Sequence, residues 1–354
     1  MRSLTRKVGL SFIMIMAAFL VALSITDAKE VSITTWSSPT SSSLGSVYMI
    51  SAVDGWVVGA GGTIVHWDGT DWRNVTSPTT DALASVFMVS ATEGWAVGLY
   101  YGTIIHWDGT TWKTVASPTD KLLLSVFMVS STDGWAVGNV IIHWDGSSWN
   151  IVSSPTGASS VFALGSNDVW AVGSGILRWD GVSWDTVQSP TRSVLFSVFM
   201  LNSSNGWAVG ELGTIVRWDG VAWNNVTSPT TDPLSSVFMV TSTDGWAVST
   251  FGTIINWNGT SWSKVTSPTR FELSSVFMVG SNDGWAVGDG GTIIRWTGTE
   301  WVPEFPSAIL MAFLVMVALV TVEIMRMARA LQESPEPHLL ADKARAAFVL
   351  DWYA

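Results

Sequence analysis

Hydrophobic and polar positions along the middle of this chain alternate in short runs broken by turn residues. Leu124–Thr156 shows the pattern. Ser125–Ser130 is a β-branched and aromatic run and predicts a strand. Thr132-Asp133-Gly134 signals a tight turn. Trp135–Val137 and Val140–Trp144 predict a second and a third strand, and Asp145-Gly146 a hairpin. Trp149–Ser153 predicts a fourth strand, which Ser154-Pro155-Thr156 ends because proline cannot continue a ladder. No helical stripe competes with this reading.

The unit recurs seven times. Its first Trp, in strings such as Gly-Trp-Ala-Val-Gly, falls at Trp56, Trp95, Trp135, Trp170, Trp207, Trp246 and Trp285, spaced by 39, 40, 35, 37, 39 and 39 residues. A second Trp follows at Trp67, Trp107, Trp144, Trp179, Trp218, Trp257 and Trp296, and a third five residues later. With Trp36 and Trp352 these positions account for all 23 tryptophans. Four short antiparallel strands per roughly 40 residues, in tandem, is the blade pattern of a propeller. The expected fold is all-β: a seven-bladed β-propeller over 31–301, each blade a four-stranded antiparallel sheet. The segment Val31–Thr40, which holds Trp36, is expected to pair into the last blade, beside or in place of the strand holding Trp301.

Both ends are apolar. Val8–Ile25 has no charge across eighteen residues after Arg2, Arg6 and Lys7, so 1–28 reads as a signal peptide or signal anchor. Phe305–Val322 is a second uncharged apolar run, followed by Glu323, Arg326 and Arg329. It predicts a C-terminal transmembrane helix over 307–327, a linker at 302–306 and a cytoplasmic tail over 328–354. The propeller is then extracellular on a single-pass protein of the cell membrane, with the membrane itself as one partner.

Composition narrows the rest. There is no Cys, so disulfides and thiol chemistry are excluded. The net charge is −11, and Lys29–Glu300 carries 21 acidic against 10 basic residues, which disfavours nucleic acid.

Asp133-Gly134-Trp135-Ala136-Val137-Gly138 and His106-Trp107-Asp108-Gly109-Thr110-Thr111-Trp112 resemble repeats of the Asp-box (BNR-like) propellers, most nearly the subgroup related to the photosystem II assembly and stability factor. That resemblance covers roughly Trp36–Trp301 and implies a role in assembling a membrane protein complex. The family's box separates its Asp and Gly by one residue, whereas Asp108 and Gly109 are adjacent. Val302-Pro303-Glu304-Phe305-Pro306 resembles the PEF-type C-terminal sorting signal of archaeal surface proteins.

Candidate chemistry is sparse. His66, His106 and His143 hold equivalent positions, but ligands on separate blades cannot converge on one metal ion. Arg178, Arg217, Asn256 and Arg295 fill the same slot, so it reads as a structural polar position. Asp68, Asp108, Asp145, Asp180 and Asp219 lack the spacing of a calcium loop and read as hairpin residues. Few arginines and no large insertion argue against a sialidase-type hydrolase. No enzyme activity, cofactor or metal is expected.

The residues that do not repeat carry more information. In an up-down blade, the loop between strands two and three and the connection between blades emerge on one face of the ring. The uniform Asp-Gly hairpins emerge on the other. The variable face carries Leu99, Tyr100, Tyr101, Asp120, Lys121, Arg192, Glu211, Leu212, Phe251, Arg270, Phe271, Glu272 and Asp289. Aromatic and mixed-charge loops on a rigid scaffold suit recognition of a protein or glycan ligand. Asn74, Asn202, Asn225 and Asn258 head glycosylation sequons on fourth strands or the hairpin face. The expected function is a non-catalytic binding or adhesion scaffold, with an assembly factor and a carbohydrate-active enzyme as alternatives.

Overall fold

The computed structural model describes residues 38–303 and Arg326. Residues 38–303 form seven four-stranded antiparallel sheets. In blade 1 the strands are β1 (Leu44–Ser51), β2 (Asp54–Gly59), β3 (Ile64–Trp67) and β4 (Trp72–Asn74), paired in chain order. The following blades span 83–114, 123–152, 160–187, 195–226, 234–265 and 273–303. The four strands expected in the third blade are found at Leu123–Ser130, Asp133–Gly138, Ile141–Trp144 and Trp149–Val152. One expected turn shifts. Asp133 pairs with Ser130 and opens the second strand, so Ser131 and Thr132 make the turn.

The second strand of each blade is buried along nearly its whole length. In six of the seven blades a glycine permits this. A Cβ on Gly134 would meet Met128 Sδ at 2.3 Å, and the methionine thioether fills the space instead.

Between blades the contacts are aromatic. The first Trp of each blade meets the third Trp of the next edge-on: Trp56–Trp112 at 78°, Trp95–Trp149 at 81° and so around to Trp285–Trp72 at 88°. Each such pair contributes about 0.5–1.5 kcal/mol beyond its buried area. The repeated tryptophans are therefore blade-to-blade packing. A second closed circle, which the sequence reading did not anticipate, lies on the innermost strands. Tyr48, Phe87, Phe127, Phe162, Phe199, Phe238 and Phe277 stack in order, with centroids 4.6–4.9 Å apart. Beside it, the hydroxyl oxygen of a serine in each blade accepts the valine N–H of the next, from Val86 to Ser46 (3.3 Å) around to Val47 and Ser275 (3.2 Å).

Closure narrows the expectation: no early segment replaces the strand holding Trp301, and pairing of 31–37 beside it lies outside the described residues. The fourth strand of the last blade is Trp301–Pro303, paired to Ile293–Trp296. It does not come from the start of the chain, because seven complete units already supply 28 strands. The ring closes face to face, through Trp285–Trp72, Phe277–Tyr48 and the Val47–Ser275 hydrogen bond. Ser38–Thr40 is an irregular connection, and Trp36 lies outside the described residues. So do the leader at 1–28, residues 304–306 of the linker, and the expected membrane helix and tail apart from Arg326. Among the described residues no helix is long and apolar enough to cross a membrane.

Candidate functional site

Most repeated polar residues are consumed by the scaffold; Arg217 lies over Trp207 with its Nε buried and without a hydrogen-bond partner among the described residues. His66 Nε2 lies 2.8 Å from Asp54 Oδ1, and His143 Nε2 2.8 Å from Asp133 Oδ1. In the same slot Arg178 Nε donates to Asp168 and Arg295 Nε to Asp283, both at 2.9 Å. Each partner acid opens the second strand of the same blade. The slot also caps the first tryptophan. His66 stacks on Trp56 at 4.3 Å, and the Arg178 guanidinium sits 5.1 Å over Trp170. Burial holds the His106 imidazole below its usual pKa, against the opposing pull of Glu93 and Asp108. The three histidines thus face their own blades.

The hairpin aspartates close their own turns. Asp68 Oδ1 accepts the Thr70 and Asp71 backbone N–H groups, and Asp108 and Asp145 do the same in their blades. In Asp68 the Thr70 hydroxyl and then these N–H groups hold the carboxyl well below the usual range. Asn258 accepts the same pair of N–H groups, so the turn needs an acceptor rather than a charge. The sequon asparagines are also engaged. Asn74 and Asn225 donate their amides to the carbonyls of Pro39 and Pro190, and Asn202 Oδ1 accepts from Ser204. All four are exposed.

The variable loops do share a face, and they ring it in two sectors. One holds Leu99–Tyr101 of the second blade with Asp120 and Lys121 in the following connection. Lys121 Nζ reaches Asp120 at 3.3 Å. The other runs from Arg192 through Glu211 and Leu212, Phe251 and Arg270–Glu272 to Asp289. Leu99, Glu211, Glu272 and Asp289 are half-buried, and the other nine candidates are exposed. Glu211 is partly committed, because its carboxylate accepts the Val194 N–H at 3.1 Å. Burial, then the neighbouring Asp289 charge, pushes the Glu272 carboxyl up. A shallow depression beside Tyr101 is lined by Asp81, Thr103, Thr114, Ser117 and Thr119, and Asp81 accepts the Thr103 hydroxyl.

Two tips stand out. Tyr101 and Leu212 have φ of 54° and 55°, the only non-glycine residues with positive φ among those described. Gly61 (φ 64°) and Gly290 (φ 63°) occupy the corresponding positions in the first and last blades. A side chain in this region costs on the order of 1 kcal/mol. Yet Tyr101 is 80 % and Leu212 74 % exposed, so neither is repaid by burial. Sequence reasoning named both residues but missed their strain. Alignment with Gly61 and Gly290 was the available signal.

No family model matches the chain, and no curated protein matches it. Solved structures do share its fold. The structure described as YCF48 bound to D1 peptide has a TM-score of 0.62 at 18 % identity, covering 73 % of this chain and 93 % of its own. YCF48 from Cyanidioschyzon merolae has 0.60 at 17 % identity, covering 73 % and 96 %. The WD40 propeller domain of Doa1 has 0.61 at 14 % identity, covering 75 % and 94 %. These likenesses bear on the fold alone: the chain is a seven-bladed β-propeller.

Proposed function

We propose that this protein is a non-catalytic scaffold, anchored at the cell membrane and facing outward, that holds a protein ligand through its loop face. The observation that carries the reading is the pair of strained, exposed tips, Tyr101 and Leu212. The scaffold has an unstrained alternative at both positions, because glycine fills them elsewhere in the ring. Strain kept at an exposed apolar side chain is explained by a contact that the side chain makes with something else.

The non-catalytic part rests on how the repeated groups are used. The repeated hairpin aspartates close turns, and His66, His143, Arg178 and Arg295 pair with acids of their own blades; on the loop face, shallow depressions lie beside Tyr101 and at Asn139, Thr156 and Ser174. A peptide segment as ligand is supported by the structural neighbour that carries one. The resemblance of the repeats at 106–112 and 133–138 to the photosystem II assembly-factor subgroup favours the narrower reading of an assembly factor for a membrane complex, which differs in the partner and not in the face used.

The test is affinity capture from the protein's own membranes, comparing the native chain with Y101G and L212G together and with V182S and V221S together. Val182 and Val221 are exposed on the hairpin face. The same partner set should be retained by the hairpin-face variant and lost by the loop-face variant. Retention by both would refute the reading.

A further inference from the structure

The chain enters and leaves the propeller on the loop face. At the entry, a Cβ on Gly291 of the last loop would meet the Thr40 carbonyl at 2.0 Å, which places Ser38–Thr40 against that loop. At the exit, Pro303 pairs with Ile294, just beyond the same loop. The uncharged run Phe305–Val322 starts two residues after Pro303. Two residues span at most about 7 Å. The other apolar run, Val8–Ile25, ends thirteen residues before Ser38. Both ends of the described propeller therefore lie on the loop face, and the run at 305–322 follows the second end directly in sequence.

The loop tips near the exit suit that neighbourhood. Phe251 belongs to the sixth blade and Phe271 to the connection into the seventh, where the chain leaves. They are 66 % and 54 % exposed. A Cβ on Gly252 would meet the Phe271 carbonyl at 2.8 Å, so the two tips lie side by side, with exposed Arg270 next in the chain. Aromatic side chains with a cation at the rim are the composition of a membrane–water interface. The opposite face presents five hairpin aspartates beside exposed Val182 and Val221, and no exposed aromatic side chain among the described residues.

We infer that the loop face is turned toward the bilayer entered by residues 305–322, with Phe251 and Phe271 in the lipid interface and Arg270 at headgroup phosphate. This arc is distinct from Tyr100 and Tyr101 of the second blade, shares its sector with Leu212 of the fifth, and has lipid rather than a protein as its occupant. The inference rests on reading residues 305–322 as a membrane span.

The chain has no cysteine, so single labels are clean. Full-length F271C, F251C and V221C, each carrying an environment-sensitive fluorophore, would be reconstituted into phosphatidylcholine vesicles containing a lipid with a nitroxide on its headgroup. Quenching should be severalfold greater at 271 and 251 than at 221. Equal quenching at all three positions, quenching confined to 221, or failure of the chain to float with the vesicles would overturn the inference. An unfolding midpoint matching the unlabelled chain checks that each variant is folded. Partner capture through Tyr101 is a separate readout, so failure of one reading leaves the other standing.

Discussion

Ala163 faces Val169 across the first two strands of the fourth blade, where the other six blades pair a methionine with a glycine. The small and large partners have exchanged places, and the shared volume is kept. Core volume is therefore conserved across the pair rather than at either residue. G134V in the third blade should push into Met128, whose Sδ would lie 2.3 Å from the new Cβ, and should cost roughly 1–3 kcal/mol. Adding M128A should recover most of that loss by reproducing the fourth-blade pair. Denaturant unfolding of the two single variants and the double variant measures the coupling. Additive effects would show that the exchange in the fourth blade is coincidence.

The slot over the first tryptophan makes a smaller prediction. R178A removes both the Asp168 contact at 2.9 Å and the cation over Trp170. The pair is partly exposed, so the loss should be about 1 kcal/mol. R178H should recover part of it, because histidine serves this position over Trp56 and Trp135. Urea titrations of the two variants against the native chain report the difference.

Stability against acid follows from the hairpin turns. The carboxyls of Asp68, Asp108 and Asp145 are held low, the first by the Thr70 hydroxyl, the second by Lys113 and the third by the Ser147 hydroxyl, each with backbone N–H groups in addition. Their contribution is full above the unfolded-state carboxylate pKa of about 3.9 and is lost as pH falls through the lower folded values. The melting temperature should therefore drop steadily below about pH 4. D108N should flatten that slope while keeping the turn, since Asn258 already closes the equivalent one. Glu272 acts with the opposite sign, because its raised pKa makes its contribution full at low pH and lost as pH rises through the folded value.

The strained tips predict a trade between stability and binding. L212G should leave the chain as stable as before, or more stable by up to about 1 kcal/mol, because glycine suits φ near 55° without strain. Partner capture should weaken in the same variant. Calorimetry and capture on one preparation separate the two effects. Destabilisation by L212G would show that the leucine is held by contacts within the chain.

Much of the fold was legible in the sequence. The Trp and Gly period gave the blade count and all four strands of each unit, because those residues fill fixed places in the packing. Three features were not legible. Closure depends on whether the last blade is complete, and the sequence left open whether the segment holding Trp36 lies beside or in place of the strand at Trp301, which the last blade itself supplies. Asp133 looked like a turn residue because Asp-Gly favours turns locally, whereas its carboxylate meets His143 across the hairpin. The left-handed conformation of Tyr101 and Leu212 was not readable from residue type, since Phe251 holds the equivalent place in the sixth blade without a positive φ. At the site, residue types on the variable face were readable, but their division into two sectors required the ring.

The central claim is that the loop face contacts a protein partner. A photocrosslinking amino acid placed singly at 101, 212, 182 and 221 in the full-length protein, irradiated in its native membranes, tests it most directly. Discrete adducts to one protein at 101 and 212, with none at 182 and 221, are the predicted result. Adducts confined to 182 and 221, or none distinguishing the two faces, would contradict it.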